Sequence, residues 1–413
     1  MKTPLHSLLG VPINTENAVR TGSLRPAVLL LQTIAESLPM QARNRPTLID
    51  VARAADVGAS TVSRHVRGSK SVSPKVAKRI EIAIAALGYQ PNAVARSLRT
   101  GRTQTLGLLF PHVNNVFYGH ALRTIQTEAR LSGFTVMLLT HQEDATLQQE
   151  QLASLKRAQV DGAILLPAAG TNVTQVLDLL GNTPVVTFDR VLGKTIDSVV
   201  LDNYKAAREA TEHLLSHGYS KIVAVNADYK LQPLQQRLQG YVEAMYSAGK
   251  RDQVILSKDA RQLQEDLRSL LHPTRPATAI LSLSYSVTLA ILSALQEIRF
   301  DLHDVGLIGI DELEFSRFID PPLTTLAQPA EELARRAVQQ LLRRTTHSEY
   351  RDGGGSAEKV AHVMLPGTLI LRASCGCRTA PGKEQTAPVR SAGGRGSAIR
   401  TEPARRRLRS GSG

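Results

Sequence analysis

Apolar residues recur at helical spacing in three short segments between residues 46 and 91. In the first segment, Val51, Ala52 and Ala55 follow the spacing of one helix face, and Thr47 stands where an N-cap would sit. The small size of these apolar residues allows another helix to approach closely. The pattern therefore predicts a short helix packed against a neighbour.

A second short helix is predicted over Ala59–Val66, after a break at Asp56-Val57-Gly58. Val62 and Val66 lie four residues apart, so both face the first helix. Two helices joined by so tight a turn are typical of a helix-turn-helix, although a plain helical hairpin shows the same local pattern. The residues that this register turns outward are Ala59, Ser60, Ser63, Arg64 and Arg67.

The third segment has clear helix boundaries. Ser73 stands at the N-cap, Pro74 occupies the first helical position, and Gly88 follows the end. One stripe of this helix is apolar, which predicts that it completes a small three-helix core. The stripe consists of Val76, Ile80, Ile84 and Leu87.

From residue 105 onward, continuous apolar strands alternate with helical segments. The first run contains LGLLFP, FTVMLLT, VDGAILLP and PVVTFD, and the second contains VVLDN, KIVAVN, QVIL, ATAILSL and VGLIGID. Continuous apolar strands spaced by helices predict parallel sheets covered on both faces. Two such runs indicate two similar lobes, so the fold class is α/β, preceded by a helix-turn-helix head.

Length and composition agree with a chain of several domains. At roughly 150 residues per domain, 413 residues suggest two or three. Two cysteines fit a reducing cytoplasm, and no apolar run approaches the roughly 20 residues of a membrane span. We therefore expect a cytoplasmic protein with no membrane partner.

The net charge of +14 is concentrated in two places. Residues 45–105 hold 11 Lys and Arg against 3 Asp and Glu, and residues 372–413 hold 10 against 2. A basic head on a nearly neutral body is typical of a protein that contacts the phosphate backbone of nucleic acid, although solvated helices are also often basic.

The head contains IDVA, STVSR, VSP, ALGY, PNAVARSL and RTGRT in this order, and it resembles the head of the LacI/GalR family of bacterial transcription regulators. The resemblance implies that residues 46–91 form the DNA-binding domain. Its second helix would enter the major groove of double-stranded operator DNA. Ala59, Ser60 and Arg64 then read bases, and Arg64 is the strongest candidate because a guanidinium can bond guanine O6 and N7 together. The remaining predicted DNA contacts, mostly to phosphates, are Thr47, Thr61, Ser63, Arg67 and Arg99.

Residues 92–104 resemble the hinge helix and linker of the same family. The resemblance implies that two hinge helices lie in the minor groove at the centre of a palindrome. Leu98 would then part a base step and kink the duplex, at a cost of a few kcal/mol that better wrapping offsets. The alternative for Leu98 is an ordinary apolar anchor on a short helix.

The body also resembles that family, through VDGAILLP, PVVTFDR, SVVLDN, HLLSHGYSKIVAV, QRLQGY, GLIGID and PPLTTLAQP. For residues 105–375 the resemblance implies a two-lobe, periplasmic-binding-protein-like domain that binds an effector and forms a homodimer. The effector would lie in the cleft at the carboxyl ends of the strands. The predicted contacts are Phe117, Tyr118, Arg190, Arg237 and Asp311.

Each of these contacts has a structural alternative. Phe117 and Tyr118 could be core residues, Arg190 could form a surface ion pair, and Asp311 could cap a helix. Where the family commonly has Asn-Asp, this chain has Leu283 and Ser284, so one acceptor for a sugar hydroxyl is lost. With two arginines retained, we hypothesise an anionic ligand such as a sugar phosphate or sugar acid.

Both ends of the chain fall outside these patterns. Residues 1–45 have no counterpart in the family, and we expect translation to begin at Met40 rather than at Met1; the alternative is a real extension that folds or docks. Residues 376–413 are rich in Gly, Ser, Pro and Arg, which predicts a disordered basic tail. Cys375 and Cys377 form a CxC pair without evident partners, and two thiolates cannot supply four zinc ligands.

The expected function is a repressor that binds a palindromic operator as a homodimer and responds to a small carbohydrate-related effector. A secreted sugar-binding protein would need a signal segment and no head. An α/β enzyme would need a catalytic motif, but GxSxG, GxxxxGK[ST] and HExxH are absent from the sequence. No catalytic residue, metal ligand or cofactor is assigned.

Overall fold

The computed structural model describes residues 46–66, 71–90, 97, 100–227, 230–271, 278–346, 359–377 and 385–388. The chain divides into two compact units, Met1–Ala93 and Val94–Gly413. Residues 1–45 lie outside the described residues, and so does the predicted translation start at Met40. So do Arg67, Leu98, Arg99 and most of the predicted hinge.

In its described residues, 46–66 and 71–90, the head unit has three helices, as the apolar pattern predicts: α1 (Leu48–Ala54), α2 (Ala59–Val66) and α3 (Pro74–Leu87). Thr47 caps α1, because its hydroxyl accepts from the amide of Asp50 while the Asp50 carboxylate accepts from the Thr47 amide. The shared core consists of Val51, Ala52, Ala55, Val62, Ile80, Ala83 and Tyr89.

The second unit contains two parallel-sheet lobes. Its strands are β1 (Thr105–Phe110), β2 (Thr135–Thr140), β3 (Gly162–Leu165), β4 (Val185–Phe188), β5 (Asp197–Leu201), β6 (Lys221–Ala227), β7 (Val254–Ser257), β8 (Thr278–Ser282), β9 (Gly306–Ile310), β10 (Thr324–Ala327), β11 (His362–Leu365), β12 (Thr368–Leu371) and β13 (Gln385–Pro388). Its helices are α4 (Val116–Leu131), α5 (Ala145–Arg157), α6 (Val173–Leu180), α7 (Asn203–Ser216), α8 (Gln232–Ser247), α9 (Ala260–Leu270), α10 (Tyr285–Glu297) and α11 (Ala330–Thr346).

Lobe one is a six-stranded sheet in the order β11-β5-β4-β3-β1-β2, with every pair parallel. Helices α4 and α11 pack on each other and share one apolar core with the sheet. Helices α5 and α6 cover the other face. Both faces are therefore buried, which explains why the strands read as continuous apolar runs.

Lobe two is a seven-stranded sheet in the order β13-β12-β10-β9-β8-β6-β7. The strands from β10 to β7 are parallel, whereas β12 pairs antiparallel with both β10 and β13. Helices α7 and α8 cross at Gly240, where an added Cβ would stand 2.0 Å from the carbonyl oxygen of Tyr204. Only glycine fits at this crossing.

The chain passes between the lobes three times, after β5, after β10 and between β11 and β12. Strand β11, which was not predicted as part of lobe one, pairs with β5 in that lobe. Helix α9 was not predicted either, because its buried apolar residues are only Leu263, Leu267 and Leu270 on a mostly polar helix. The i, i+4, i+7 spacing of these leucines and the capping residue Asp259 were the available signals.

Two expectations for the C-terminal segment need correction. Gln385–Pro388 forms an edge strand on β12, although the whole segment 376–413 was predicted to be disordered. A strand at a sheet edge is held by main-chain hydrogen bonds, so it requires little apolar surface of its own. Cys375 and Cys377 do have partners, since they lie against His213 and His217.

Within the described part of the chain, no helix combines the length and the apolar character that crossing a membrane requires.

Candidate DNA-reading face and effector cleft

Helix α2 turns a polar face outward from the head. Val62 is fully buried against the other helices, whereas Ala59, Ser60 and Arg64 are exposed. Arg64 leans back along its own helix, and its Nε donates to the carbonyl of Ser60 at 3.4 Å. The three predicted base-reading residues therefore share one accessible surface. Thr61 and Ser63 lie beside them and are half-buried.

Arg79, which was not predicted as a functional residue, holds the turn between α1 and α2. Its guanidinium, on α3, donates to the backbone carbonyls of Ala55 and Asp56. It also donates to the Asp56 carboxylate at 3.0 Å. Asp56 has a left-handed backbone, with φ of 50°. Arg79 thus supplies donors to carbonyls at the end of α1 that have no intrahelical partner.

In the second unit, a cleft of about 460 Å³ lies between the two lobes. Loops after the carboxyl ends of the strands line it, as expected for a parallel α/β sheet. The structure brings all five predicted effector-site residues to this one cavity. Lobe one contributes Phe117, Tyr118 and Arg190, and lobe two contributes Arg237 and Asp311.

Two carboxylates occupy equivalent places in the two lobes. Asp189 directly follows β4 and Asp311 directly follows β9, and both have left-handed backbones, with φ of 65° and 69°. Non-glycine residues held in this region are strained, and such strain is concentrated at functional sites. Asp311 was predicted from the sequence and Asp189 was not, although both follow a buried strand.

Burial raises the pKa of both carboxyl groups. For Asp311 the pKa rises to about 6, because the loss of hydration outweighs the attraction of Arg237. For Asp189, Arg190 and Arg237 also oppose the rise without cancelling it. Each carboxylate is therefore costly to keep ionised in the cleft unless hydrogen-bond donors reach it.

Both arginines of the cleft already have protein partners. Arg190 donates to both carboxylate oxygens of Glu143, at 2.9 and 2.6 Å, and to the carbonyl of Pro167. Arg237 donates to the Asn203 side chain at 2.7 Å and to the carbonyl of Leu283 at 2.9 Å. Glu143 and Asn203 were not predicted, because their role depends on contacts between distant segments.

The aromatic residues of the cleft also belong to the core of lobe one. Phe117 stacks on Phe188 with ring centroids 5.6 Å apart, and Phe188 in turn stacks on Phe110. Tyr118 meets Phe110 edge to face at 5.8 Å. Phe117 and Tyr118 therefore pack in the core and also line the cleft, and their contact with an effector stays a prediction.

Ser284, one of the two departures from the family pattern, begins α10. Its hydroxyl accepts from the amide of Val287, and the residue also lines the cleft. Leu283 is fully buried and presents only its carbonyl to Arg237. Together they hold Arg237 and the start of α10 in place.

Four buried side-chain polar atoms in the described residues have no hydrogen-bond partner. Three of them belong to residues that line the cleft: His112 Nδ1, Arg190 Nε and Gln328 Oε1. An unpaired buried polar group costs about 1–3 kcal/mol. Their concentration at one cavity indicates a site built to hold a polar small molecule.

A helix-turn-helix head in one chain with a two-lobed cleft domain defines a DNA-binding protein of the ligand-responsive class. Two family descriptions match the chain: "Bacterial regulatory proteins, lacI family" over residues 47–92, and "Periplasmic binding proteins and sugar binding domain of LacI family" over residues 103–352. The chain belongs to the LacI family of bacterial transcription regulators.

Individual relatives agree with this assignment. The chain is 31% identical over 347 residues to the HTH-type transcriptional regulator PtxS of Pseudomonas putida, covering 81% of this chain and 98% of the relative. It is 30% identical over 338 residues to the ribose operon repressor of Haemophilus influenzae, covering 79% of this chain and 98% of that relative. The solved complex of the transcriptional regulator CelR with cellobiose is similar with a TM-score of 0.55 at 28% identity, over 80% of this chain and 100% of that one.

Proposed function

We propose that this regulator is a repressor that binds a palindromic operator as a homodimer in the cytoplasm. The exposed face of α2, with Ala59, Ser60 and Arg64, reads one half-site, and the second subunit reads the other. The curated relatives include a ribose operon repressor, which supports repression. The proposed activity is binding rather than catalysis.

We further propose that the interlobe cleft takes a carbohydrate effector that changes the affinity for DNA. The supporting observation is the set of buried atoms without a hydrogen-bond partner on His112, Arg190 and Gln328, next to the carboxyl groups of Asp189 and Asp311. Sugar hydroxyls both donate and accept hydrogen bonds, so they satisfy both kinds of group. Cellobiose in the related CelR complex is a ligand of this chemical class.

The balance of charges bears on the type of sugar. Three carboxylates, those of Glu143, Asp189 and Asp311, line the cleft with only two guanidiniums, and Glu143 already engages Arg190. The charge of Arg190 is therefore already compensated, and an anionic ligand would also have to approach the carboxyl groups of Asp189 and Asp311. We therefore favour a neutral polyhydroxyl effector over the sugar phosphate or sugar acid hypothesised from the sequence.

The test is a fluorescence-anisotropy titration of the full-length protein against DNA from upstream of its own gene, at fixed salt, with and without neutral sugars, sugar acids and sugar phosphates. We expect tight, palindrome-dependent binding that a neutral sugar changes. Weak, sequence-independent binding that falls steeply with salt would refute the operator proposal. A response confined to acidic or phosphorylated sugars would refute the proposed ligand type while leaving the operator proposal intact.

A further inference from the structure

Four side chains from two distant parts of the sequence converge on the surface of lobe two, outside the cleft. His213 lies in the last turn of α7, and His217 lies just beyond its end. Cys375 and Cys377 lie in the turn that follows β12. The four potential ligand atoms all lie within 4.8 Å of one another.

The distances between these atoms match those of a tetrahedral metal site. Nε2 of His213 lies 3.3 Å from Sγ of Cys375 and 3.5 Å from Sγ of Cys377, and Nε2 of His217 lies 3.2 Å from Sγ of Cys377. With Zn–S of about 2.3 Å and Zn–N of about 2.0–2.1 Å, a tetrahedral zinc ion places its sulfur and nitrogen ligands roughly 3.5 Å apart. The four side chains therefore need to move little to bind a zinc ion.

Each pair of ligands has a local reason to point at the same place. His213 and His217 are four residues apart, which puts them on one helix face, and their ring centroids are 4.7 Å apart. Between the cysteines, Gly376 has φ of +93°, and a Cβ there would stand 2.9 Å from the hydroxyl of Tyr219. Glycine thus allows the sharp turn that brings both thiols to one side.

The surroundings support the ligands as well. Cys375 is fully buried, and its sulfur accepts from the hydroxyl of Thr324 at 3.1 Å. The same Thr324 oxygen accepts from the amide of Arg372, which fixes the start of the turn. Cys377 and His213 are half-buried and His217 is exposed, so the site has one buried ligand and is open to solvent on the side of His217. This access allows an ion to enter and a chelator to remove it.

We propose that His213, His217, Cys375 and Cys377 form a structural zinc site that fastens the end of β12 to α7. Two thiolates and two imidazoles in a tetrahedral arrangement are a ligand set typical of zinc, and a closed four-ligand set is typical of a structural rather than a catalytic ion. The site joins segments that are about 160 residues apart in the chain. It is independent of the effector proposed for the cleft.

The first experiment measures metal content of the untagged full-length protein purified from zinc-supplemented cells. We expect one zinc ion per chain by mass spectrometry of the native protein. Replacement by cobalt should give the charge-transfer and visible bands of tetrahedral cobalt with thiolate ligands. A chain that contains no zinc even after loading, or that carries a bond between its two cysteines as purified, would refute the proposal.

Variants separate a built site from adventitious binding. Cys377→Ser and His217→Ala change accessible positions, and each should weaken zinc binding more than about 100-fold, since loss of outer-shell partners alone costs roughly 10–100-fold. His303→Ala, an exposed histidine of the same lobe, should leave zinc binding unchanged. Chelation should lower the unfolding temperature of the wild type and not of the two variants. Zinc that remains bound in both variants would be an adventitious ion only.

Discussion

Glu143 holds the guanidinium of Arg190 with two parallel hydrogen bonds, in which Nη1 donates to Oε2 at 2.9 Å and Nη2 donates to Oε1 at 2.6 Å. The Arg190 side chain is 6% exposed and that of Glu143 is 26% exposed. The positive charge in this part of the cleft is therefore compensated before any ligand arrives. A ligand anion would have to displace Glu143 to reach the guanidinium of Arg190.

Glu143→Gln tests this relationship directly. The variant leaves Arg190 with an uncompensated charge, so the affinity for an acidic sugar should rise at least about tenfold relative to a neutral one, the equivalent of one charge-assisted hydrogen bond. Isothermal calorimetry with a sugar and its acid measures this ratio. Glu150→Gln, an exposed position on α5, serves as the control and should leave the ratio unchanged. An unchanged ratio in Glu143→Gln would show that Glu143 does not set ligand charge.

Arg64→Ala tests the proposed reading of bases by α2. Loss of a bidentate contact to guanine should weaken operator binding by about 1–3 kcal/mol and relax the preference at one base pair. Anisotropy titrations against the operator and against operators changed at single base pairs measure both effects. Arg53→Ala removes an exposed arginine of α1 and should not alter base preference. Equal losses on all DNA sequences in Arg64→Ala would assign Arg64 to phosphates instead.

The raised pKa of Asp311 predicts a pH dependence of stability. The folded chain keeps a proton on this carboxyl up to about pH 6, whereas the unfolded chain releases it near 3.8. Unfolding therefore releases a proton between these values, and the contribution of Asp311 to the free energy of unfolding falls as the pH rises through this window. Above pH 6, Asp311→Asn should be more stable than the wild type.

Urea unfolding of the wild type and of Asp311→Asn, on both sides of pH 6, measures this difference. The gain in stability of the variant should shrink as the pH falls below about 6 and disappear near 3.8. A gain that is the same at every pH would show that Asp311 is already ionised at low pH in the folded chain.

Asp197→Asn tests a buried ion pair that holds lobe one together. Arg344 of α11 donates to both oxygens of Asp197, at 2.8 and 2.9 Å, and the amide of Ala361 donates to it at 2.8 Å. Breaking such a buried pair should lower the free energy of unfolding by about 3–5 kcal/mol. Chemical denaturation at neutral pH measures the loss, and Asp178→Asn, exposed on α6, should cost little.

The same aspartate predicts a loss of stability in acid. Burial alone would raise the pKa of Asp197, but the hydrogen bonds from Arg344, Ala361 and Gln340 hold it below its ordinary value. The stabilisation is therefore complete when the pH is above 3.8, the pKa of this carboxyl in the unfolded chain. It is lost as the pH falls through the lower pKa of the folded chain. Asp197→Asn should not show this loss.

Local pattern was enough to predict most elements of the fold. The apolar periodicity of α2 and α3 and the continuous strands β1 to β6 depend on neighbours in the sequence, and these elements were predicted to within a few residues. The polar helix α9 was missed because its three buried leucines are diluted by charged residues. The edge strand β13 was missed because its pairing uses the backbone.

The cleft was only partly predictable for a physical reason. Phe117, Arg190 and Asp311 were found through resemblance and through their places after strands. Glu143 was not, because its pairing with Arg190 joins segments 47 residues apart. The histidine partners of Cys375 and Cys377 are more than 150 residues away in the chain, and no local pattern connects them.

Helix α11 has a consequence for how the protein is made. Leu333, Ala337 and Leu341 are fully buried in the same core as Leu106 and Leu108, yet the ribosome synthesises α11 only after nearly all of lobe two. During that interval α4 alone covers this apolar face of the early strands, and the part that α11 later buries stays exposed, which is the kind of surface that chaperones bind. A premature stop codon before Ala330 would therefore leave the first lobe without α11, and we expect such fragments to be degraded rather than to act as partial regulators.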